Sequence, residues 1–138
     1  MTPPLVSVIM PCLNGERHIQ MAIDSVLAQT FGDFELIVVD NGSTDRTPEI
    51  LNSLNDPRLK VFTLRERGVS RARNLGLSEA RGTFIAFLDS DDTWNVAFLE
   101  KMHTALTANP QAVLAYCGWQ NLGLPGPRGD PFIPPDYE

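Results

Sequence analysis

The feature of this sequence that most limits its fold is a regular alternation of two hydrophobic patterns. Short apolar runs, typical of buried strands, alternate with segments whose apolar residues recur every three or four positions, the spacing of one helix face. Strands that are connected through helices run parallel. The alternation therefore predicts an α/β fold with three layers, α/β/α, around a mainly parallel sheet. The predicted strands are residues 5–10, 34–39, 59–64, 84–88 and 112–116.

Turn residues mark the ends of these segments. Pro11 is expected to end the first strand, and Thr47 is predicted to cap a helix that has Pro48 at its first position. Gly76 lies inside the helix predicted over residues 69–80, where glycine costs about 1 kcal/mol. A close approach of that helix to a neighbouring strand would explain it. The other helices are predicted over residues 16–29 and from residue 94 onward.

The alternation ends near Trp119. Residues 120–138 are rich in proline and are predicted to be an irregular or disordered tail. The chain is accordingly divided into a domain of residues 1–119 and a tail of residues 120–138. The total of 138 residues is one domain's worth, and 43% hydrophobic content is enough for a core.

Composition excludes several classes of function. A net charge of −6 argues against nucleic-acid binding, which needs a basic surface. No apolar run is long enough to span a bilayer, and no signal peptide is recognised. Cys12 and Cys117 match neither a disulfide framework nor a zinc site, so both are expected to be buried thiols in a reducing cytosol.

Three carboxylates follow the apolar run of residues 84–88, which is predicted to be buried on both faces. Because parallel strands place their C-terminal ends together, Asp89, Asp91 and Asp92 are expected at the ligand-binding edge of the sheet. Their mutual repulsion favours a hard divalent cation between them. Asp91 is the first choice for a metal ligand. Asp92 is either a second ligand or the N-terminal charge of the next helix, and a solvated acidic turn is the alternative for all three.

Two further polar residues belong to the same predicted edge. Asp40 closes the second strand, where it either binds a ribose or base or caps the loop that follows. Arg71 lies in the first turn of the helix over residues 69–80, where an anion is favoured. A solvated helix face is the alternative for Arg71, and it is the favoured interpretation for each of three other arginines. These are Arg65, Arg67 and Arg73.

Two common nucleotide-binding motifs are missing. The first predicted turn, residues 11–16, contains one glycine instead of the three of a dinucleotide-binding loop. No Walker A sequence occurs. A nicotinamide-dependent oxidoreductase and a P-loop nucleotide hydrolase are therefore not expected.

Four segments, in order along the chain, resemble the motifs of family 2 glycosyltransferases. The first comprises residues 6–11 and 14–16, and the third comprises residues 68–76. In the second, residues 38–45, the family usually has aspartate where Asn41 stands. The fourth, residues 88–92, looks like the DxD motif. The resemblance covers about residues 6–102.

The resemblance implies a GT-A fold, a Mg²⁺ or Mn²⁺ ion and a nucleotide-diphospho-sugar donor. By motif position, Pro11 and Glu16 would line the nucleotide pocket, and Asp40 and Arg71 would contact the base. Asp89 would face the ribose, or reach the metal through water. Asp91 would face the metal and the diphosphate. The implied reaction is inverting transfer of the sugar to an acceptor hydroxyl, with the metal neutralising the departing diphosphate.

The same resemblance implies a cellular setting. Family members usually assemble cell-surface polysaccharides or glycolipids at the cytoplasmic face of the membrane, so a cytoplasmic protein peripheral to the membrane is expected. They also usually continue beyond this length, supplying the acceptor site and an Asp or Glu that acts as the general base. Asp130, Asp136 and Glu138 are poor candidates for that base. The chain is therefore predicted to be the donor-binding half of a glycosyltransferase enzyme.

Two alternative functions are considered. Residues 87–93 fit the signature of a haloacid-dehalogenase-type phosphatase, in which Asp89 would be the nucleophile and Asp91 the acid/base. The other alternative is a non-catalytic module that binds a sugar nucleotide.

Overall fold

The structure, a computed structural model, describes residues 2–135 and alternates strands with helices as the sequence predicts. The strands are β1 (Val6–Cys12), β2 (Phe34–Asp40), β3 (Leu59–Thr63) and β4 (Phe84–Phe87). The α-helices are α1 (Ile19–Leu27), α2 (Thr47–Ser53), α3 (Val69–Glu79) and α4 (Phe98–Ala108). In the described part of the chain, none of these helices combines the length and hydropathy that a bilayer span requires.

The four strands form one parallel sheet in the order β3-β2-β1-β4. Successive side chains of a strand point to opposite faces. On one face, Met10 of β1 and Val38 of β2 pack with Ile23 of α1 in a core that α2 and α4 also enter. On the other face, Val39 of β2 packs with Ala72 of α3. The predicted α/β fold with a parallel sheet between helical layers is confirmed.

Pro11 does not end the first strand, because β1 continues to Cys12 and Pro11 pairs with Val39 of β2. A proline in a central strand normally loses a ladder hydrogen bond. The Ile9 carbonyl accepts from the backbone N–H of Leu88 at 3.1 Å, so the backbone groups of Ile9 point toward β4. Pro11 lies two residues later, so its backbone groups point the same way. The pairing with β4 ends at Ile9, so the missing N–H of Pro11 has no partner to lose.

Helix starts differ from the predicted positions. Thr47 is the first residue of α2 and not its cap. Its backbone N–H donates to Asp45 Oδ1 at 2.9 Å, while its own Oγ1 accepts from Gly15 at 2.9 Å. The helix predicted from residue 94 begins at Phe98, after the Asn95 side chain accepts from the backbone N–H of Ala97.

The run of residues 84–88 is not buried on both faces as predicted. β4 is the edge strand of the sheet formed by the described residues, and Ile85 and Phe87 are 39% and 49% exposed. The contacts of α3 lie with β1 and β2. The face of β4 that carries Ile85 and Phe87 is therefore left open.

Gly76 has the close neighbour that its position predicts. A Cβ at this residue would lie 2.5 Å from Cγ2 of the buried Ile9 in β1. The absence of a side chain at Gly76 thus allows α3 to approach the sheet.

The chain divides into two compact units, Met1–Glu100 and Lys101–Glu138. The first contains the sheet. In the second, the predicted fifth strand is absent: within the described residues, 112–116 belong to no strand. Val113 and Leu114 are 98% and 73% exposed. A strand requires a neighbouring strand to pair with and cover for its apolar side chains. In the described part of the chain no strand pairs with residues 112–116.

The described part of the tail, up to Pro135, is mostly irregular and exposed. Trp119 and Phe132 form an isolated antiparallel bridge, and their rings stack at 5.4 Å. Between them lies a 3-10 turn, Gly126–Gly129. The boundary predicted between residues 119 and 120 remains a prediction.

A buried carboxylate joins three strands at the end of the sheet opposite the C-terminal edge. Glu35 of β2 accepts from Ser7 Oγ of β1 at 2.7 Å and from Lys60 Nζ of β3 at 2.7 Å. It also accepts from the backbone N–H of Arg81, just before β4, at 2.8 Å. Burial alone would raise the pKa of Glu35, but the hydrogen bonds from Lys60, Ser7 and Arg81 outweigh it and lower the pKa to about 2.

We expect this carboxylate to make folding stability depend on pH. The pKa of Glu35 lies below its ordinary value of 4.5, so its contribution is fully present above pH 4.5 and is lost as the pH falls toward 2. The size of that contribution is on the order of 3 kcal/mol. Urea unfolding of the wild type and of Glu35→Gln between pH 7 and pH 3 measures it, and the stability difference between them should shrink toward the acid end.

Glu49→Gln is the matched control, because Glu49 is paired with Arg46 on an exposed helix surface. Its effect should stay small at every pH. An equal, pH-independent loss of folding stability in both variants would contradict the assignment of the pH dependence to Glu35.

Candidate functional site

A cavity of about 490 Å³ opens at the C-terminal edge of the sheet. Its walls come from the end of β1 and the following loop, from the residue after β2, from the start of α3 and from the segment after β4. The lining residues are residues 11–15, His18, Asn41, Gly68, Val69, Ala72, Arg73 and residues 89–91. Four separate segments therefore meet at this edge, and all of them belong to the first unit.

The two loops that follow β1 and β2 are held together by hydrogen bonds. Asn14 Oδ1 accepts from the backbone N–H of Thr44 at 2.8 Å, and Glu16 Oε2 accepts from that of Arg46 at 3.1 Å. In return, Asp45 Oδ2 accepts from the backbone N–H of Glu16 at 3.1 Å. These bonds make the wall formed by residues 11–15 part of a rigid double loop.

The acidic cluster comprises Asp89, Asp91 and Asp92. Each offers an oxygen, and the three oxygens lie within 4.8 Å of one another. Desolvation of its carboxyl raises the pKa of Asp92, although the residue as a whole is exposed, and the charges of Asp91 and Asp89 raise that pKa further. Oxygen ligands at this spacing fit a hard divalent cation such as Mg²⁺ or Mn²⁺. Asp89 and Asp91 also line the cavity, whereas Asp92 does not.

Of the two arginines in the first turns of α3, the structure brings Arg73 and not Arg71 to the cavity. Arg73 Nη2 lies 2.9 Å from Asp89 Oδ1, and Arg73 lines the cavity. Arg71 is exposed and is paired with Glu66. Residues two apart on a helix point in nearly opposite directions, so only one of the two arginines can face the cavity.

Asp40 and Asn41 are adjacent but face different surroundings. Asp40 Oδ1 accepts from the backbone N–H of Ser43 at 3.0 Å and from Ser43 Oγ at 2.6 Å, which is the loop-capping arrangement. Asn41 lines the cavity, is 4% exposed and, within the described residues, has no hydrogen-bond partner for Oδ1.

Of the predicted site residues, Pro11, Asp89 and Asp91 line the cavity. Four others do not, and their predicted contacts with ligand stay predictions. These are Glu16, Asp40, Arg71 and Asp92. Of the poor candidates for a base, Asp130 lies in the second unit, and Asp136 and Glu138 lie outside the described residues.

Among the lining residues that were not assigned to the site from sequence, Arg73 and Asn41 each had a detectable signal. Arg73 lies one residue after Ala72 and three before Gly76, on the helix face that packs against the sheet. Asn41 lies two residues after Val39, so it continues the strand face that packs on α3.

The two cysteines differ in environment, contrary to the expectation that both are buried: Cys12 is buried and Cys117 is exposed. Burial, and then the charges of Asp40 and Asp45, raise the pKa of Cys12 to about 12. Iodoacetamide at pH 8 should therefore alkylate only Cys117 in the folded protein. Mass spectrometry of each cysteine-containing peptide measures this, and denatured protein, in which both react, is the control. Rapid alkylation of Cys12 in folded protein would contradict the raised pKa.

Comparison with known proteins is consistent with this geometry. The family model described as Glycosyl transferase family 2 matches residues 7–123. One similar curated relative is the Escherichia coli UDP-Glc:alpha-D-GlcNAc-diphosphoundecaprenol beta-1,3-glucosyltransferase WfgD. It is 43% identical over 106 residues, which cover 76% of this chain and 42% of WfgD.

Two solved structures have the same fold. S. aureus TarS 1–349 in complex with UDP-GlcNAc superposes with a TM-score of 0.76 at 33% identity, covering 88% of this chain and 36% of that one. The mannosyltransferase PcManGT from Pyrobaculum calidifontis, in complex with GDP-Man and Mn²⁺, gives a TM-score of 0.70 at 29% identity. The match covers 77% of this chain and 33% of PcManGT. The chain spans about two fifths of the length of WfgD and of two other curated relatives that it matches.

Proposed function

The chain belongs to glycosyl transferase family 2, and from that premise we propose that its cavity binds a nucleotide-diphospho-sugar donor together with Mg²⁺ or Mn²⁺. The observation that carries the proposal is the cluster of Asp89, Asp91 and Asp92 beside a cavity of about 490 Å³. A cation held by few carboxylates keeps positions open for phosphate oxygens, which a nucleoside diphosphate supplies. The donor domain is proposed to comprise residues 1–119, with residues 120–138 as a tail.

The proposed roles follow the position of each residue. Asp91 would hold the metal to which the diphosphate also binds, and Asp92 is the second choice of ligand. Asp89 faces the ribose, and Pro11 borders the nucleotide. Metal chemistry at this site would neutralise the negative charge that develops on the departing diphosphate.

Three of the residues with proposed nucleotide contacts already have partners within the protein. Glu16 bonds to the loop after β2, Asp40 caps Ser43, and Arg71 is paired with Glu66. These bonds occupy one oxygen of each carboxylate and leave the other as an acceptor for the nucleotide.

For the whole protein we propose inverting transfer of the sugar to an acceptor hydroxyl. The hydroxyl oxygen forms a bond to the anomeric carbon from the side opposite the diphosphate. The bond from that carbon to the diphosphate breaks, the diphosphate leaves with the electron pair, and the hydroxyl proton passes to a base. We assign no base to this chain.

We also propose that the donor is a uridine nucleotide, and that the whole protein acts in envelope polysaccharide assembly at the cytoplasmic face of the membrane. WfgD is named for UDP-Glc and TarS was solved with UDP-GlcNAc, although PcManGT was solved with GDP-Man. Membership of a transferase family also favours donor binding over the phosphatase alternative.

Calorimetry with UDP, CDP, GDP and ADP, each with and without Mn²⁺, tests the proposal. We expect at least one of these nucleotides to bind, and to bind more tightly with Mn²⁺. Binding of none of them would refute the donor site.

A further inference from the structure

An ion pair joins two walls of the cavity. Arg73 Nη2 of α3 lies 2.9 Å from Oδ1 of Asp89, which follows β4, and both residues line the cavity. Among the cavity-lining residues of the described chain, Arg73 is the one lysine or arginine. Asp89 is also one of the three carboxylates whose oxygens lie within 4.8 Å of one another. A permanent positive charge is therefore bonded to the acidic cluster itself.

Both partners of this ion pair are anchored on the same residue of β1. A Cβ at Gly76 would lie 2.5 Å from Cγ2 of Ile9, so α3 packs closely on that side chain. The backbone N–H of Leu88, the residue before Asp89, donates to the Ile9 carbonyl at 3.1 Å. The sheet thus fixes the helix that carries Arg73 and the strand end that carries Asp89 relative to each other.

The ion pair acts in opposite ways on a metal and on an anion. Three neighbouring carboxylates repel one another and attract a divalent cation. Arg73 supplies a positive charge and occupies Asp89 Oδ1, and both effects weaken the attraction of the cluster for a free cation. A guanidinium at the same place attracts a diphosphate. Arg73 therefore disfavours the metal alone and favours the metal together with a phosphate-bearing ligand.

Resting on the proposed donor site, we infer that Arg73 makes metal binding depend on the nucleotide. It prevents the acidic cluster from holding a divalent cation tightly alone, so that the cation binds together with the diphosphate. Arg73 acts through Asp89 and is therefore a positioning residue. Because binding linkage is reciprocal, the factor by which UDP tightens Mn²⁺ binding equals the factor by which Mn²⁺ tightens UDP binding. Loss of Arg73 should reduce that shared factor.

Titration of Mn²⁺ alone into the nucleotide-free protein tests the inference, with free Mn²⁺ followed by its electron paramagnetic resonance signal. We expect Arg73→Gln to bind Mn²⁺ at least about fivefold more tightly than the wild type, because a repelling charge is removed. In calorimetry at saturating Mn²⁺, the same variant should bind UDP at least about fivefold more weakly. Loss of a residue with a merely structural role would not change the two affinities in opposite directions.

Arg67→Gln is the matched control, because Arg67 is exposed and does not line the cavity. It removes the same charge from the protein, and both affinities should stay within about twofold of the wild type, since salt screens distant charges. Arg73→Met keeps the apolar part of the side chain without its charge. It should behave as Arg73→Gln does, and it provides a second variant if Arg73→Gln fails to fold.

A double-mutant cycle with Asp89→Asn tests whether Arg73 acts through Asp89. Without the carboxylate, further loss of Arg73 should change the Mn²⁺ affinity by at most about twofold. An unchanged or weaker Mn²⁺ affinity in folded Arg73→Gln or Arg73→Met would overturn the inference, and so would an undiminished effect of Arg73→Gln in the Asp89→Asn background. Both results leave the donor site standing, whereas failure of every nucleotide to bind to the wild type removes the donor site itself.

Discussion

Replacing Asp91 by alanine should weaken Mn²⁺-dependent binding of a nucleoside diphosphate by on the order of 100-fold. Loss of residues that only orient a metal ligand costs about 10–100-fold in metal affinity, so loss of a ligand should reach at least the upper end of that range. Asp91 belongs to the acidic cluster and also lines the cavity, as expected of the proposed ligand that faces both the metal and the diphosphate. Calorimetry of the variant, with and without Mn²⁺, gives the affinity.

Asp92→Ala is the matched control, because Asp92 belongs to the same cluster but does not line the cavity. Its effect on binding should be several-fold smaller. Both variants should keep or raise the Tm of the free protein, since each removes one of three mutually repelling charges. Equal losses of affinity in the two variants would show that Asp91 is not the principal ligand.

Replacing Gly82 by alanine should lower the free energy of unfolding by about 3 kcal/mol, and with it the Tm by roughly 10 °C. A Cβ at Gly82 would lie 2.5 Å from the backbone nitrogen of Ser7 and 2.8 Å from the carbonyl carbon of Val6. These atoms belong to the central strand β1 and cannot move aside as a flexible side chain could. The backbone N–H of Gly82 also donates to Ser7 Oγ at 2.8 Å, which in turn donates to Glu35.

Gly32→Ala is the control for Gly82→Ala. Gly32 is exposed, and a Cβ there would have no neighbour within 4 Å. Alanine at such a site is expected to be neutral or to stabilise by up to about 1 kcal/mol. Thermal unfolding followed by circular dichroism measures both variants. A Tm of Gly82→Ala within a few degrees of the wild type would show that the segment before β4 can move away from β1.

Much of the fold could be predicted because the signals are local. The apolar runs and helix spacings located four strands and four helices of the described chain. Gly76 predicted the close approach of α3 to a strand, which is β1 at Ile9. The prediction of a strand at residues 112–116 was wrong for a non-local reason. An apolar run forms a strand only when another strand pairs with it, and the described residues supply none.

The site was predicted in part. Chain direction was enough to bring Asp89 and Asp91 to the edge of the sheet where Pro11 also lies, because parallel strands end together. It was not enough to choose between Asp40 and Asn41, or between Arg71 and Arg73. Those choices depend on which face of each element meets the cavity.

The sequence by itself therefore determined the order of the elements, the parallel sheet and the edge at which three carboxylates gather. These follow from periodicity and chain direction, which are properties of each segment alone. Only the tertiary structure decided that Asn41 and Arg73 line the cavity. Asp40 instead bonds to Ser43, and Arg71 is paired with Glu66. The reason is that a strand reverses its side-chain direction at every residue and a helix turns by about 100°. The way α3 packs on the sheet determines which side chains of α3 and of the end of β2 point toward the cavity.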